Sequence, residues 1–313
     1  MPIRNIGGKV VIIGSGFVGS SAAFAIATNN IVSKVVLIDI NTEKAMGEVL
    51  DLSHGRPLNG SAKVTLGGFE EVKDADVIIV AAGSGRKPGE TRLDLLKKNR
   101  VIIRDITKRI MLFYDGGVIL VISNPVDILT YIIQKESGLP AGVVIGSGTM
   151  LDTTRFRSAI GEKYKISASD VSGFMIGEHG ESVVPVWSMV SIGGIPLDEF
   201  DRASENVLDK ESIEDEVRSA GARVIQLKGA TYYAIAVIIG HLVKTIIKNE
   251  CAVLPVCSFI DGPFGLKDVA LSLPSIINSE GIQQVLEVEL SFDERQKLLV
   301  SAGKIKDVLS NLE

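Results

Sequence analysis

The chain has only three histidines, so the setting of each is informative. His179 stands between glycines in "GEHGES", a polar turn interrupting apolar, strand-like runs, where a general acid or base would be exposed to a substrate. His241, in the apolar helical stretch "IIGHLVK", reads as structural; His54, in "DLSHG", reads as a helix-end residue that favours the dipole or edges a site. In "GTMLDTTRFR", Asp152 and Arg155 are three apart and so share one face of a helix. They can form an ordinary surface ion pair. Alternatively, Asp152 accepts a hydrogen bond from His179 and favours its imidazolium, while Arg155 presents its planar fork to a carboxylate. Spacing leaves both readings open. Two further cations, Arg86 and Arg92, lie in the glycine-hinged "AAGSGRKPGETRLDL", directly after an apolar run that reads as a core strand. Scattered histidines and two cysteines in one strand-like segment offer no metal-ligand spacing, so no metal is expected.

A second constellation lies at the start of the chain. The first apolar run leads into "GSGFVG", where Gly14, Gly16 and Gly19 match the G-x-G-x-x-G pattern at the onset of a helix. Glycine permits the tight turn and lets the backbone approach a pyrophosphate seated on the helix N-terminus. The second apolar run ends in Asp39, twenty residues after Gly19, where a carboxylate either bonds a ribose diol or caps the helix beginning near "NTEKAMGEVL". Ile40 follows, with no neighbouring arginine to receive a 2′-phosphate, so NAD is expected rather than NADP.

The elements that must position these residues follow from periodicity. Up to about residue 147, "KVVIIG", "KVVLID", "DVIIVAA", "GVILVIS" and "GVVIG" read as strands separated by amphipathic helices, the pattern of a doubly wound parallel sheet buried on both faces. Beyond it the pattern changes to a helix from "MLDTTRFRSAIG", strands in "VSGFMIG" and "SVVPVWSMV", two long helices, and strands near 251–258 and 282–289. A terminal helix is announced by the capping-box spacing of Ser291 and Glu294. The fold class expected is α/β: a Rossmann domain over 1–147, then a mixed α/β substrate domain over 148–313. Even spacing in "CAVLPVCSF" places Cys251 and Cys257 on one strand face as a buried reduced pair. An apolar content of 46% supplies a sizeable core. A net charge of −5 without any basic run argues against nucleic acid or an anionic membrane as partner. No apolar run has signal-peptide or membrane-spanning length, and a cytoplasmic location is expected.

In this order, "GSGFVG", "KPGETRLDL", "SNPVDILT", "GSGTMLDTTRFR" and "GEHGES" resemble the L-lactate/L-malate dehydrogenase family over nearly the whole chain. The resemblance implies hydride transfer between a nicotinamide and C2 of a small 2-hydroxy or 2-oxo acid. It makes His179 the proton donor and acceptor, Asp152 its orienting partner, Arg155 the carboxylate clamp and Arg92 the group polarising the C2 oxygen. Asn124 would bond the substrate beside the nicotinamide, with a cis Asn124–Pro125 peptide, and Phe17, Val18, Asn99 and Val121 would complete the cofactor contacts. Residues 83–95 resemble the family's mobile lid, and a homodimer or homotetramer is implied.

Substrate choice turns on Arg86, which resembles the arginine that malate enzymes carry where lactate enzymes usually have glutamine. Enclosed with pyruvate it would lack a partner, a costly state for a buried cation; oxaloacetate brings a second carboxylate to pair with it. Glu90 and Thr231 resemble the lactate-type pattern instead. Weighting the buried charge more heavily, we expect a malate dehydrogenase acting on oxaloacetate and malate, with L-lactate dehydrogenase as the alternative.

Overall fold

The computed structural model describes residues 7–59, 62–85 and 92–312. From Lys9 strands and helices alternate: β1 (Lys9–Ile13), α1 (Phe17–Thr28), β2 (Lys34–Ile38), α2 (Thr42–Asn59), β3 (Lys63–Leu66), β4 (Val77–Val80), α3 (Arg92–Met111), β5 (Val118–Val121), α4 (Val126–Ser137) and β6 (Val144–Gly146). These six strands pair in parallel in the order β3-β2-β1-β4-β5-β6. Both faces are covered. On β1, Val10 and Ile12 pack into one apolar layer and Val11 and Ile13 into the other, none more than 3% exposed. Alternation of side chains with a period of two, combined with helices on both faces, explains why these strands read as unbroken apolar runs. The order reverses between β1 and β4, so the turns leaving their carboxyl ends, 14–16 and 81–85, border the crevice where ligands bind in open α/β sheets.

The chain continues through α5 (Met150–Tyr164), β7 (Val171–Ser172), β8 (Met175–Ile176), β9 (Val184–Pro185), β10 (Ser191–Ile192), β11 (Ile195–Pro196), α6 (Leu197–Ala203), α7 (Lys210–Lys228) and α8 (Tyr233–Ile247). It ends with β12 (Ala252–Ile260), β13 (Val269–Asn278), β14 (Gly281–Val285) and α9 (Phe292–Ser310). The Rossmann sheet and the mixed α/β portion are thus both present, as expected. β12 pairs antiparallel with β6, so β12, β13 and β14 extend the first sheet to nine strands. A separate small core gathers α5, α7 and the short ladders, with Trp187 edge-on to Phe156 at 4.7 Å.

Local expectations fared unevenly. β13 went unrecognised because "VALSLPSIIN" is buried on both faces, without alternation, and contains Pro274, which opposes Pro255 of β12. The strand expected over 282–289 ends at Val285. The cysteine pair is corrected: Cys257 is buried, but Cys251 is exposed. The strand begins only at Ala252, and Cys251 sits before it with φ 52°, so the period of two does not extend to it. The capping box forms as read: Ser291 Oγ accepts the Glu294 N–H at 3.3 Å, and Glu294 accepts the Ser291 N–H at 2.8 Å. Among the described residues, no helix is long and apolar enough to cross a membrane.

Candidate active site

The cofactor end is built by the first two strands. Gly14 has φ 104°, and a Cβ there would lie 2.6 Å from the backbone of Ala82. A Cβ on Gly19 would lie 1.8 Å from the Gly14 carbonyl oxygen, so α1 can approach the turn only without one. Gly16 is different: nothing lies within 4 Å of its missing side chain, and no side chain caps α1. The helix N-terminus therefore presents backbone N–H groups to open space, the cradle that a pyrophosphate fits. Asp39 accepts hydrogen bonds from the Ser15 N–H (2.6 Å), the Ser15 hydroxyl (2.9 Å) and the Asn41 N–H (2.9 Å). Burial alone would raise its pKa, but these bonds and the charge of Lys44 outweigh it and hold Asp39 below the ordinary value. The anion stays ready for a diol, so the residues present fit NAD.

The expected cofactor contacts divide into three groups. Phe17 is 68% exposed and stacks on Tyr232 at 5.3 Å, and Val18 is half-buried behind it. Asn99 is buried; it accepts the Ser84 N–H at 2.8 Å and donates to the Asn124 carbonyl at 3.2 Å, joining the root of the 81–85 turn to Asn124. Asn124 is exposed and precedes a cis peptide bond to Pro125. Val121 is the exception. It has no exposed surface and packs wholly into the core, so its side chain supports the cleft from beneath instead of lining it, a correction to the role expected of it.

At the catalytic end, α5 carries Asp152 and Arg155 on one face. Asp152 is 6% exposed, and each of its oxygens meets a cation or its source: Oδ2 lies 2.6 Å from His179 Nδ1, and Oδ1 lies 3.4 Å from the Arg155 guanidinium. The two readings open from spacing are thus combined: Asp152 takes the His179 ring, as in the second, while the Asp152–Arg155 ion pair of the first also forms, largely buried instead of on the surface. Burial by itself lowers the His179 pKa, but the contact with Asp152 and the nearby Asp127 charge outweigh it against the opposing charge of Arg155, so its pKa is raised. A protonated ring then donates Nδ1–H to Asp152 and leaves Nε2–H for a substrate oxygen. Arg155 and Thr231 both line a cavity of about 480 Å³ between α5, α7 and α8. Arg86 and Glu90 lie outside the described residues; Arg92 begins α3, but its side chain also lies outside them.

Several contributors carried no role in the sequence reading. Ser15 and Tyr232 were passed over, and Asp127 stood in the quoted "SNPVDILT" without one. Asp127 accepts the His179 backbone N–H at 2.7 Å. Its signal was available: a carboxylate within the apolar helix "VDILTYII". The turn holding His179 is also tied to α9, where Ser301 Oγ accepts the Glu178 N–H at 2.8 Å; further along the chain Glu294 of α9 accepts the Ser188 N–H at 2.9 Å.

A dinucleotide cradle at the strand-order reversal, facing a histidine–aspartate–arginine group, defines an NAD-dependent 2-hydroxy acid dehydrogenase. The family model described as lactate/malate dehydrogenase, NAD binding domain, matches residues 8–146, and its alpha/beta C-terminal domain counterpart matches residues 149–313. The chain belongs to the lactate/malate dehydrogenase family. It is 44% identical over 308 residues to an L-lactate dehydrogenase of Thermoanaerobacterium saccharolyticum, covering 97% of this chain and 99% of that protein. It is 44% identical over 312 residues to the L-lactate dehydrogenase of Bacillus caldolyticus, covering 98% of each. Among solved structures, the ligand-bound minor L-lactate dehydrogenase of Enterococcus mundtii superposes with a TM-score of 0.95 at 41% identity, covering 98% of this chain and 99% of that one.

These relatives overturn the expectation of malate and oxaloacetate: they are named L-lactate dehydrogenases, and none of them a malate dehydrogenase. The malate expectation depended on Arg86 being enclosed and partnerless beside pyruvate, which is a statement about tertiary placement. A side chain that reaches water or a neighbouring carboxylate escapes that desolvation cost, and the residue type alone does not say which.

Proposed function

We propose that this protein interconverts pyruvate and L-lactate with NAD as the redox partner, residues 1–147 binding the dinucleotide and 148–313 most of the substrate. What carries the choice of pyruvate is that the similar proteins are named L-lactate dehydrogenases; the 2-oxo acid chemistry is supported by the bridging of His179 and Arg155 by the two oxygens of one buried carboxylate, Asp152. That bridge holds a proton donor and a cation at fixed separation, matching the carbonyl and carboxylate of a 2-oxo acid. When bound, NAD supplies the two-electron couple. Arg155 pairs with the carboxylate; His179 gives its Nε2 proton to the C2 oxygen during reduction and takes it back during oxidation; Arg92 polarises that oxygen. Asp152 keeps the ring oriented and stabilises its charged form. Asn124, its carbonyl held by Asn99, would bond the substrate beside the nicotinamide. One substrate carboxylate meets one clamp, so the reaction asks for no second carboxylate at Arg86.

The chain also carries exposed Phe24 on α1, Met46 and Leu50 on α2, and Tyr233 and Val237 on α8. An apolar surface of this kind favours association, and it supports a homodimer or homotetramer. The deciding experiment follows NADH absorbance with pyruvate and with oxaloacetate side by side. A higher kcat/KM for pyruvate is expected; a higher value for oxaloacetate overturns the lactate reading.

A further inference from the structure

Asp127 lies in the first turn of α4, where the helix N-terminus favours an anion, yet it is only 3% exposed. Its Oδ2 accepts the His179 N–H, while no N–H or O–H reaches the enclosed Oδ1. The fully buried Cys257 thiol of β12 interacts with the same carboxyl group. A carboxamide would also accept the bond from His179, as a neutral acceptor, and spare the desolvation of a charge. Two carboxylates therefore bracket one histidine, Asp152 at the ring and Asp127 at the backbone.

The charged and titratable groups facing this pair come from four places. Asp152 and Arg155 on α5 face His179; Cys257 on β12 and Glu178 on the catalytic turn face Asp127; and Asp127 and His179 face each other. We propose that Asp127 is a positioning residue for His179: it holds the turn that presents the ring, and its buried negative charge keeps the imidazole in the proton-carrying form. The proposal depends on His179 being the proton donor assigned above. Burial pushes the Asp127 pKa up to about 6, against the hydrogen bond and charge of His179. Its support for the imidazolium is accordingly present above that pH and fades below it. A carboxyl whose folded pKa is raised costs the fold stability as pH climbs from its unfolded value of 3.8, and the full cost is reached above about 6.

The test compares wild type with Asp127→Asn, which keeps an acceptor for the His179 N–H and removes the charge. In the pH profile of kcat/KM for pyruvate, the alkaline limb, where protonated His179 is lost, should move down by about one pH unit. Tm at pH 8 should not fall, because the variant no longer ionises a buried group. An unmoved limb with a lowered Tm would make Asp127 merely structural and overturn the proposal. A second measurement needs no variant and no substrate: an NMR titration of the unmodified protein carrying ¹⁵N-histidine. The His179 ring should register its own inflection and a second one near pH 6 from Asp127; a single inflection overturns the coupling. Since this readout is independent of turnover, a failed substrate assignment leaves it intact.

Discussion

Two carboxylates, one at each end of the cleft, are held in opposite ways. Asp39 receives three hydrogen bonds from N–H and O–H groups and is kept more acidic than usual, whereas Asp127 receives one N–H bond beside the weak Cys257 thiol, and burial makes it less acidic. Their surroundings differ in origin. The groups around Asp39 come from the turn after β1 and the residues just beyond β2, neighbours because Ile13 pairs with Ile38 in a parallel ladder. Those around Asp127 come from β12 and the catalytic turn, elements distant in sequence. A carboxylate satisfied by backbone amides is a steady anion suited to holding a neutral diol. A carboxylate under-satisfied in a buried site is a charge whose effect on a neighbouring base varies with pH. One end of the cleft is built for constancy, the other for proton transfer.

The largest expected break in this comparison is His179→Asn. Turnover should fall about 10²-fold or more, as for loss of a positioned acid–base group, with NADH affinity nearly unchanged by fluorescence titration. A parallel loss of NADH affinity would mean that the two ends are not separable as described.

Arg155→Gln should act more selectively. Losing one partner of an enclosed charged pair costs about 2 kcal/mol or more, so KM for pyruvate should rise about 30-fold or more. The same change removes the cation that opposes protonation of His179, so the alkaline limb of pyruvate reduction should move upward, opposite in sign to the shift expected for Asp127→Asn. A downward shift would contradict the bridge through Asp152.

The smallest effect belongs to Asp39→Asn. It weakens charge-assisted hydrogen bonds of about 1.5–3 kcal/mol, so NADH affinity should drop about tenfold or more while the His179 limb stays in place. Because the folded pKa of Asp39 is depressed, its ionised form stabilises the fold above the unfolded value of 3.8, and that contribution is lost as pH falls through the lower folded value. Acid unfolding followed by circular dichroism should therefore be less steep in the variant. Unchanged steepness would remove Asp39 from the groups that set acid stability.

Much of the cofactor end is legible in the sequence alone. Glycine spacing, a strand-terminal aspartate and helix onset are governed by backbone sterics over a few residues and by strand pairing that apolar runs announce. The pairing of Asp152 with His179, 27 residues apart, stayed ambiguous, since helical spacing serves a surface ion pair equally well. Three matters were decided only by tertiary packing. Asp127 owes its role to being pressed, 52 residues away in sequence, beneath the His179 turn against β12. Val121 was removed from the cleft surface by core layers on β5, although the family resemblance implied a cofactor contact there. Arg86 was weighed as an enclosed charge, but whether a cation is enclosed depends on everything that surrounds it, and one residue type carries no such information. The chain's own order determined the Rossmann frame and the chemical class of the groups around the cleft. Burial, which sets proton affinity through desolvation and neighbouring charge, belongs to the folded molecule alone.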